Sequence, residues 1–109
     1  MSRESRRLEL NNKLQQILGS TNVYFQPPAS IQLSYPCIIY SFDDEYALYA
    51  GNESYLDRDK YTITLITKDP LPDELMSGIK AIPYTRFDRH YVADNLHHFS
   101  YTTESFERY

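Results

Sequence analysis

The chain has 109 residues, 41% hydrophobic and 15% aromatic, enough for one modest core in a single domain, residues 1–109. Its formal net charge of −4 argues against a protein that seeks phosphate backbones, since such binding rests on clustered Lys and Arg. A single cysteine, Cys37, excludes an intramolecular disulfide and suits a reducing cytoplasm; no stretch approaches the ~20 apolar residues that span a bilayer, and no apolar run follows "MSRESRRLEL" to make a signal peptide.

Leu10, Leu14, Ile17 and Leu18 repeat at helical spacing, which predicts a helix from Arg3 to Leu18 stopped by Gly19, so that residues 1–19 form an N-terminal helical element. In "NVYFQPPASIQLSYP" the prolines Pro27, Pro28 and Pro36 forbid a helix and predict a short strand followed by an extended crossing. "CIIYSF" is a nearly continuous apolar run, expected as a central strand covered on both faces. "YTITLIT" alternates, with Tyr61, Ile63 and Leu65 on one side and Thr62, Thr64 and Ile66 on a wetter one, and should pair with it. Between these strands, residues 43–59 are acidic, with a turn signal at Gly51-Asn52, and are expected as a long hairpin whose tip leaves the core.

Pro72 followed by Asp73 and Glu74 predicts a second, short helix that turns Leu75, Met76 and Ile79 to the sheet before Pro83. "YTRFDRH" and "LHHFSYTT" close the chain as two strands joined by a turn at Asp94-Asn95. The fold class is therefore α+β: two helices on a largely antiparallel sheet with one protruding hairpin.

Three histidines, His90, His97 and His98, lie close together with Asp88 and Asp94, a composition suited to zinc or to acid/base work. The spacing argues against both. Adjacent His97 and His98 leave a strand on opposite faces, His90 is separated from them by a turn, and neither H-E-x-x-H nor a second cysteine is present. Cys37 lies in an apolar run with no base nearby in sequence, which is the setting of an inert thiol. No catalytic, metal or cofactor residues are assigned.

Arg86, Asp88, Arg89, His90 and Asp94 form a dense polar patch that either fixes the final turn or sets register against a neighbouring subunit. In the hairpin, Asp43, Asp44, Glu45, Glu53, Asp57 and Asp59 exclude a core position, yet Tyr46, Tyr49 and Tyr55 should not all stay wet. A contact with another subunit or partner satisfies both constraints. Eleven tyrosines without a tryptophan point the same way.

"VYFQPP", "YPCIIY", "YTITLITKDP" and "FDRHYVADNLHHFSYT", in that order, resemble small proteins encoded among the head-tail joining genes of tailed bacteriophages, and are similar to tail terminator (tail completion) proteins. The resemblance covers nearly the whole chain from the first helix onward, with the segment 87–96 its most specific part. It implies an α+β fold and a homo-oligomeric ring, a hexamer, at the top of the tail tube. That ring stops tube elongation, meets the tail tube protein on one side and the head connector or head-closure protein on the other, and lets DNA pass without specific binding. It also implies synthesis in the host cytoplasm, a place at the head-tail junction of the virion, and neither catalysis nor cofactor. The chain is shorter than many tail terminators, and its end, "ESFERY", is too brief for an extra arm of any size. A head-closure or adaptor ring of the connector is therefore the alternative. Two readings from other classes are a small metal-dependent hydrolase using His90, His97 and His98, and a monomeric module that takes peptides on a strand edge.

Overall fold

A computed structural model describes residues 2–51 and 53–108, with the side chains of 48–50, 53–57 and 106–108 left outside the description. Helix α1 spans Arg3–Leu18 and is capped at both ends: Ser2 Oγ accepts from the Ser5 N–H at 3.1 Å, and Gly19, at φ 76°, donates its N–H to Gln15 O at 2.9 Å. Strands β1 (Val23–Phe25), β2 (Cys37–Ala50) and β3 (Glu53–Thr67) follow, then α2 (Asp73–Lys80), β4 (Thr85–Ala93) and β5 (Leu96–Arg108). The sheet runs β1-β2-β3-β5-β4, parallel only between β1 and β2. The fold is α+β, as the sequence patterns predict.

Both helices cover one face. Ile38, Tyr40, Tyr61, Ile63, Leu65, Phe99 and Tyr101 lie in register on it and form one buried cluster with Leu14 of α1 and Ile79 of α2. The helices meet closely at Gly78, where a Cβ would stand 2.7 Å from Ile17 Cγ2, so only glycine fits without displacing that side chain. Tyr40 keeps its hydroxyl satisfied under α1, accepting from Arg7 at 3.1 Å and donating to Asn11 Oδ1 at 2.8 Å.

The other face carries Cys37, Ile39, Thr62, Thr64, Ile66, His98, Ser100 and Thr102, and among the described residues no helix lies on it. The expectation that "CIIYSF" is covered on both faces therefore fails beyond its start. Cys37 and Ile38 are fully buried, but Ile39 and Ser41 are only half-buried and Phe42 is exposed. Ile39 and Ser41 belong to the face without a helix, and Phe42, on the covered face, lies beyond the last β1 pair, Phe25–Tyr40.

The predicted hairpin forms, with β2 and β3 paired antiparallel out to Ala50 and Glu53 and with Gly51 in the turn at φ 70°. It is not a two-stranded arm, however. β5 runs beside β3 as far as the Leu56–Arg108 pair, so the end "ESFER", too brief in sequence to suggest an arm, supplies its third strand. A third strand gives β3 ladder partners on both sides, which an isolated hairpin lacks. The molecule is accordingly long, 51 × 25 × 23 Å.

Candidate functional site

The charges at the root of the arm do not all stay in water. Asp59, expected with the other hairpin acids to lie outside the core, is fully buried. Arg3 Nε and Arg6 Nη2 both donate to its Oδ2 at 3.0 Å, and Arg3 also pairs with Glu45 on the neighbouring strand. The sequence signal was present in "RESRR": residues three apart share a helix face, so Arg3 and Arg6 approach one carboxylate together. The Asp59 hydrogen bond is the leading cause that raises the Arg3 guanidinium above its ordinary range.

Farther out, the helix-free face of the arm is polar. Tyr46 pairs across the ladder with Arg58, whose guanidinium lies 4.9 Å from the ring centroid, and half of Tyr46 remains exposed. Arg58 meets Glu104 at 3.3 Å, and Lys60 meets Asp43 at 3.4 Å. The side chains of Tyr49 and Tyr55, the other two interface candidates of the hairpin, lie outside the described residues.

At the opposite side of the sheet, β4 is the edge strand and is exposed along nearly all its length. Asp94 and Asn95 take φ 55° and 62°, the signature of a two-residue turn that matches strand twist, and this turn sets the pairs Val92–His97, Tyr91–His98 and His90–Phe99. The candidates of this segment therefore separate. Arg86, Asp88 and Arg89 lie on the helix-free face: Arg86 Nε donates to Asp88 Oδ1 at 3.2 Å, Asp88 Oδ2 accepts from Thr102 Oγ1, and the Arg89 guanidinium stands 4.9 Å from the Tyr91 ring centroid. His90 faces the other way, and exposed Asp94 sits in the turn, five residues along the strand from Arg89, roughly 16 Å away.

The turn that was expected to keep His90 apart from the other histidines instead folds it onto one of them. His90 Nε2 and His97 Nδ1 are 2.9 Å apart, hydrogen-bonded in one of two tautomeric senses, with the rings stacked and His90 also against Phe99. His98 departs on the opposite face, stacks on Tyr91, and has its Nδ1 3.0 Å from Leu96 O. Among the described residues no three His, Cys, Asp or Glu side chains converge as a metal-binding group. Cys37 is buried, and burial pushes its thiol up to about 11.

No protein-family model matches the chain, and no curated protein is significantly similar to it. The candidate surface is thus defined by its own geometry: two exposed strand edges, the acidic arm on one side and the Arg86–Asp88–Arg89 edge on the other.

Proposed function

We propose that this chain is a structural protein of the tailed-phage neck, whose copies close into a ring that caps the tail tube and joins it to the head connector, the role of a tail terminator. The reading begins from the resemblance carried by "YTITLITKDP" and "FDRHYVADNL". The observation that carries it is the three-stranded arm, in which β2, β3 and β5 run on beyond the helix-covered body and carry an exposed aromatic among charges. Such an arm contributes little to its own domain and is a natural contact between subunits or with the tube. The formal charge of −4 suits a channel for DNA, because a basic lumen would hold the duplex through counterion release. Catalysis has no part in this role.

The test is to replace residues 48–56 by a two-residue Asn-Gly turn, pairing Ala47 with Asp57 as in the wild type, and to trim the end of β5 to match. Circular dichroism, solution mass and a tail-joining assay on one preparation then separate folding from function. The expected product is a folded protein that no longer assembles or completes tails; one that completes tails at the normal level removes the proposal. Capture of wild-type protein by purified connectors but not by tail tubes would assign it instead to a head-closure or adaptor ring.

A further inference from the structure

The sheet ends on two edges of opposite charge. One is β4, nine residues long, with two arginines, Arg86 and Arg89, against one aspartate. The other is the outer edge of β2 past β1. Strand β1 pairs only with Ile38, Ile39 and Tyr40, and Gln26 ends that pairing, donating its N–H to Tyr40 O and accepting from the Phe42 N–H through Oε1, both at 3.0 Å. From residue 43 to 50, β2 has β3 on one side and, among the described residues, no strand on the other. This stretch holds Asp43, Asp44 and Glu45 and no basic residue. An unpaired strand edge is a template for another strand.

We infer that β4 of one copy adds, antiparallel, to residues 43–50 of the next, so that the sheets run on from subunit to subunit. This inference rests on the ring proposed above, and it names the surfaces that would close it. Three features of the chain support it.

First, direction. The chain reverses between β2 and β3, between β3 and β5, and between β5 and β4, so β4 runs opposite to β2. Within one copy β4 lies level with residues 37–42 of β2, Thr85 with Phe42 and Tyr91 with Cys37. The ring axis must then be inclined to the strands, which shifts each copy along the strand direction until its β4 reaches the neighbour's residues 43–50 and keeps the strand sense. Placing β4 beside the neighbour's β2 therefore makes an antiparallel pair and leaves every copy's helices on the same side of the joined sheet.

Second, faces. Arg86 and Arg89 lie on the helix-free face opposite Thr102 and Ser100. Asp44, opposite Lys60, and Asp43, paired with Lys60, lie on that same face. Across the junction opposite charges thus fall on one surface.

Third, selection against the wrong pairing. β4 against a second β4 sets arginine on arginine, and arm against arm sets acid on acid. The charges discourage each edge from meeting its own kind, while the opposite signs favour the heterologous contact that a closed ring requires.

Two substitutions test this on the full chain: Arg89→Glu, at an exposed position whose guanidinium lies over the Tyr91 ring, and Asp44→Lys, also exposed. Sedimentation analysis should find wild-type protein self-associating, each folded variant weakened by at least ~10-fold, and a 1:1 mixture of the two restored. In the alternating assembly the introduced glutamate of one variant meets the introduced lysine of the other, and the junctions between them keep Arg89 against Asp44. Wild-type protein that stays monomeric up to millimolar concentration overturns the inference. So do single variants that associate normally, and a mixture that is not restored. Assembly that follows the charges in protein unable to complete tails upholds the edge pairing and removes the neck assignment. Tail completion by Arg89→Glu at the wild-type level removes the edge pairing and leaves that assignment standing.

Discussion

The body of the sheet and its arm are made from the same strands, β2, β3 and β5, yet they are held by different forces. In the body, Ile38, Tyr40, Ile63, Leu65, Phe99 and Tyr101 lie under two helices, and each such side chain contributes about 1.5–3 kcal/mol on burial. In the arm, Tyr46, Arg58, Lys60, Asp43 and Glu104 form partly exposed pairs, each of about 0–1 kcal/mol. The comparison teaches that hydrophobic burial fixes where the body folds, while backbone ladders and a few anchored charges determine how far the strands continue. An element that its own domain hardly needs is free to serve a contact.

The boundary between the two regions is Asp59, and breaking it should have the largest effect. Asp59→Ala leaves Arg6 buried without this carboxylate and is expected to cost about 3–5 kcal/mol in chemical denaturation, the usual result of removing one partner of a buried ion pair. Arg3→Ala, with half of its side chain in water, should cost about 1 kcal/mol or less. Equal losses from the two substitutions would mean that Asp59 is not the anchor.

Asp59 also shows where sequence reasoning stops. The end of α1 was legible because Gly19 is a local stop signal after the helical spacing of Leu10, Leu14, Ile17 and Leu18, and the core face of β3 was legible because Tyr61, Ile63 and Leu65 alternate with Thr62, Thr64 and Ile66. Local patterns could not show that a helix start approaches residue 59, since burial of a carboxylate depends on distant chain. The third strand of the arm was hidden for a related reason: residues 104–108 are mostly polar, and their pairing with β3 follows from register rather than from hydrophobic periodicity. The His90–His97 contact was legible in principle. Once Asp94-Asn95 is a two-residue turn, Val92 pairs with His97, and His90, two residues from Val92, must lie on the same face as His97.

A second prediction sharpens the contrast from the side of the body. Burial holds the Cys37 thiol neutral up to about 11, against an ordinary 9.0, so above pH 9 the unfolded chain loses a proton that the folded chain keeps. Stability should therefore fall as pH rises from 9 to 11, by up to about 3 kcal/mol at ~1.4 kcal/mol per pH unit, and this contribution should be absent in Cys37→Ala. Tyr40, Tyr61 and Tyr101, also raised by burial, add losses of the same sign at higher pH in both proteins, so the difference between the two profiles isolates the thiol. Identical profiles would place Cys37 in contact with water.

The smallest effect on folding is expected in the arm, at Tyr46. Its ring is half exposed and its described partner is the Arg58 guanidinium, a contact of about 0.5–1 kcal/mol at such a site. Tyr46→Ala should lower the stability of the isolated domain by about 1 kcal/mol or less, as urea denaturation would measure. The consequence for assembly should be larger, because a tyrosine ring that is half wet in one copy has further apolar area to bury against another, and tyrosine is enriched in protein interfaces. The two measurements must be made on the same protein. A loss of several kcal/mol from the domain would show that the arm is held by its aromatics after all, and the division between body and arm would fail. A domain of unchanged stability that assembles as well as wild type would keep that division and remove Tyr46 from the contact.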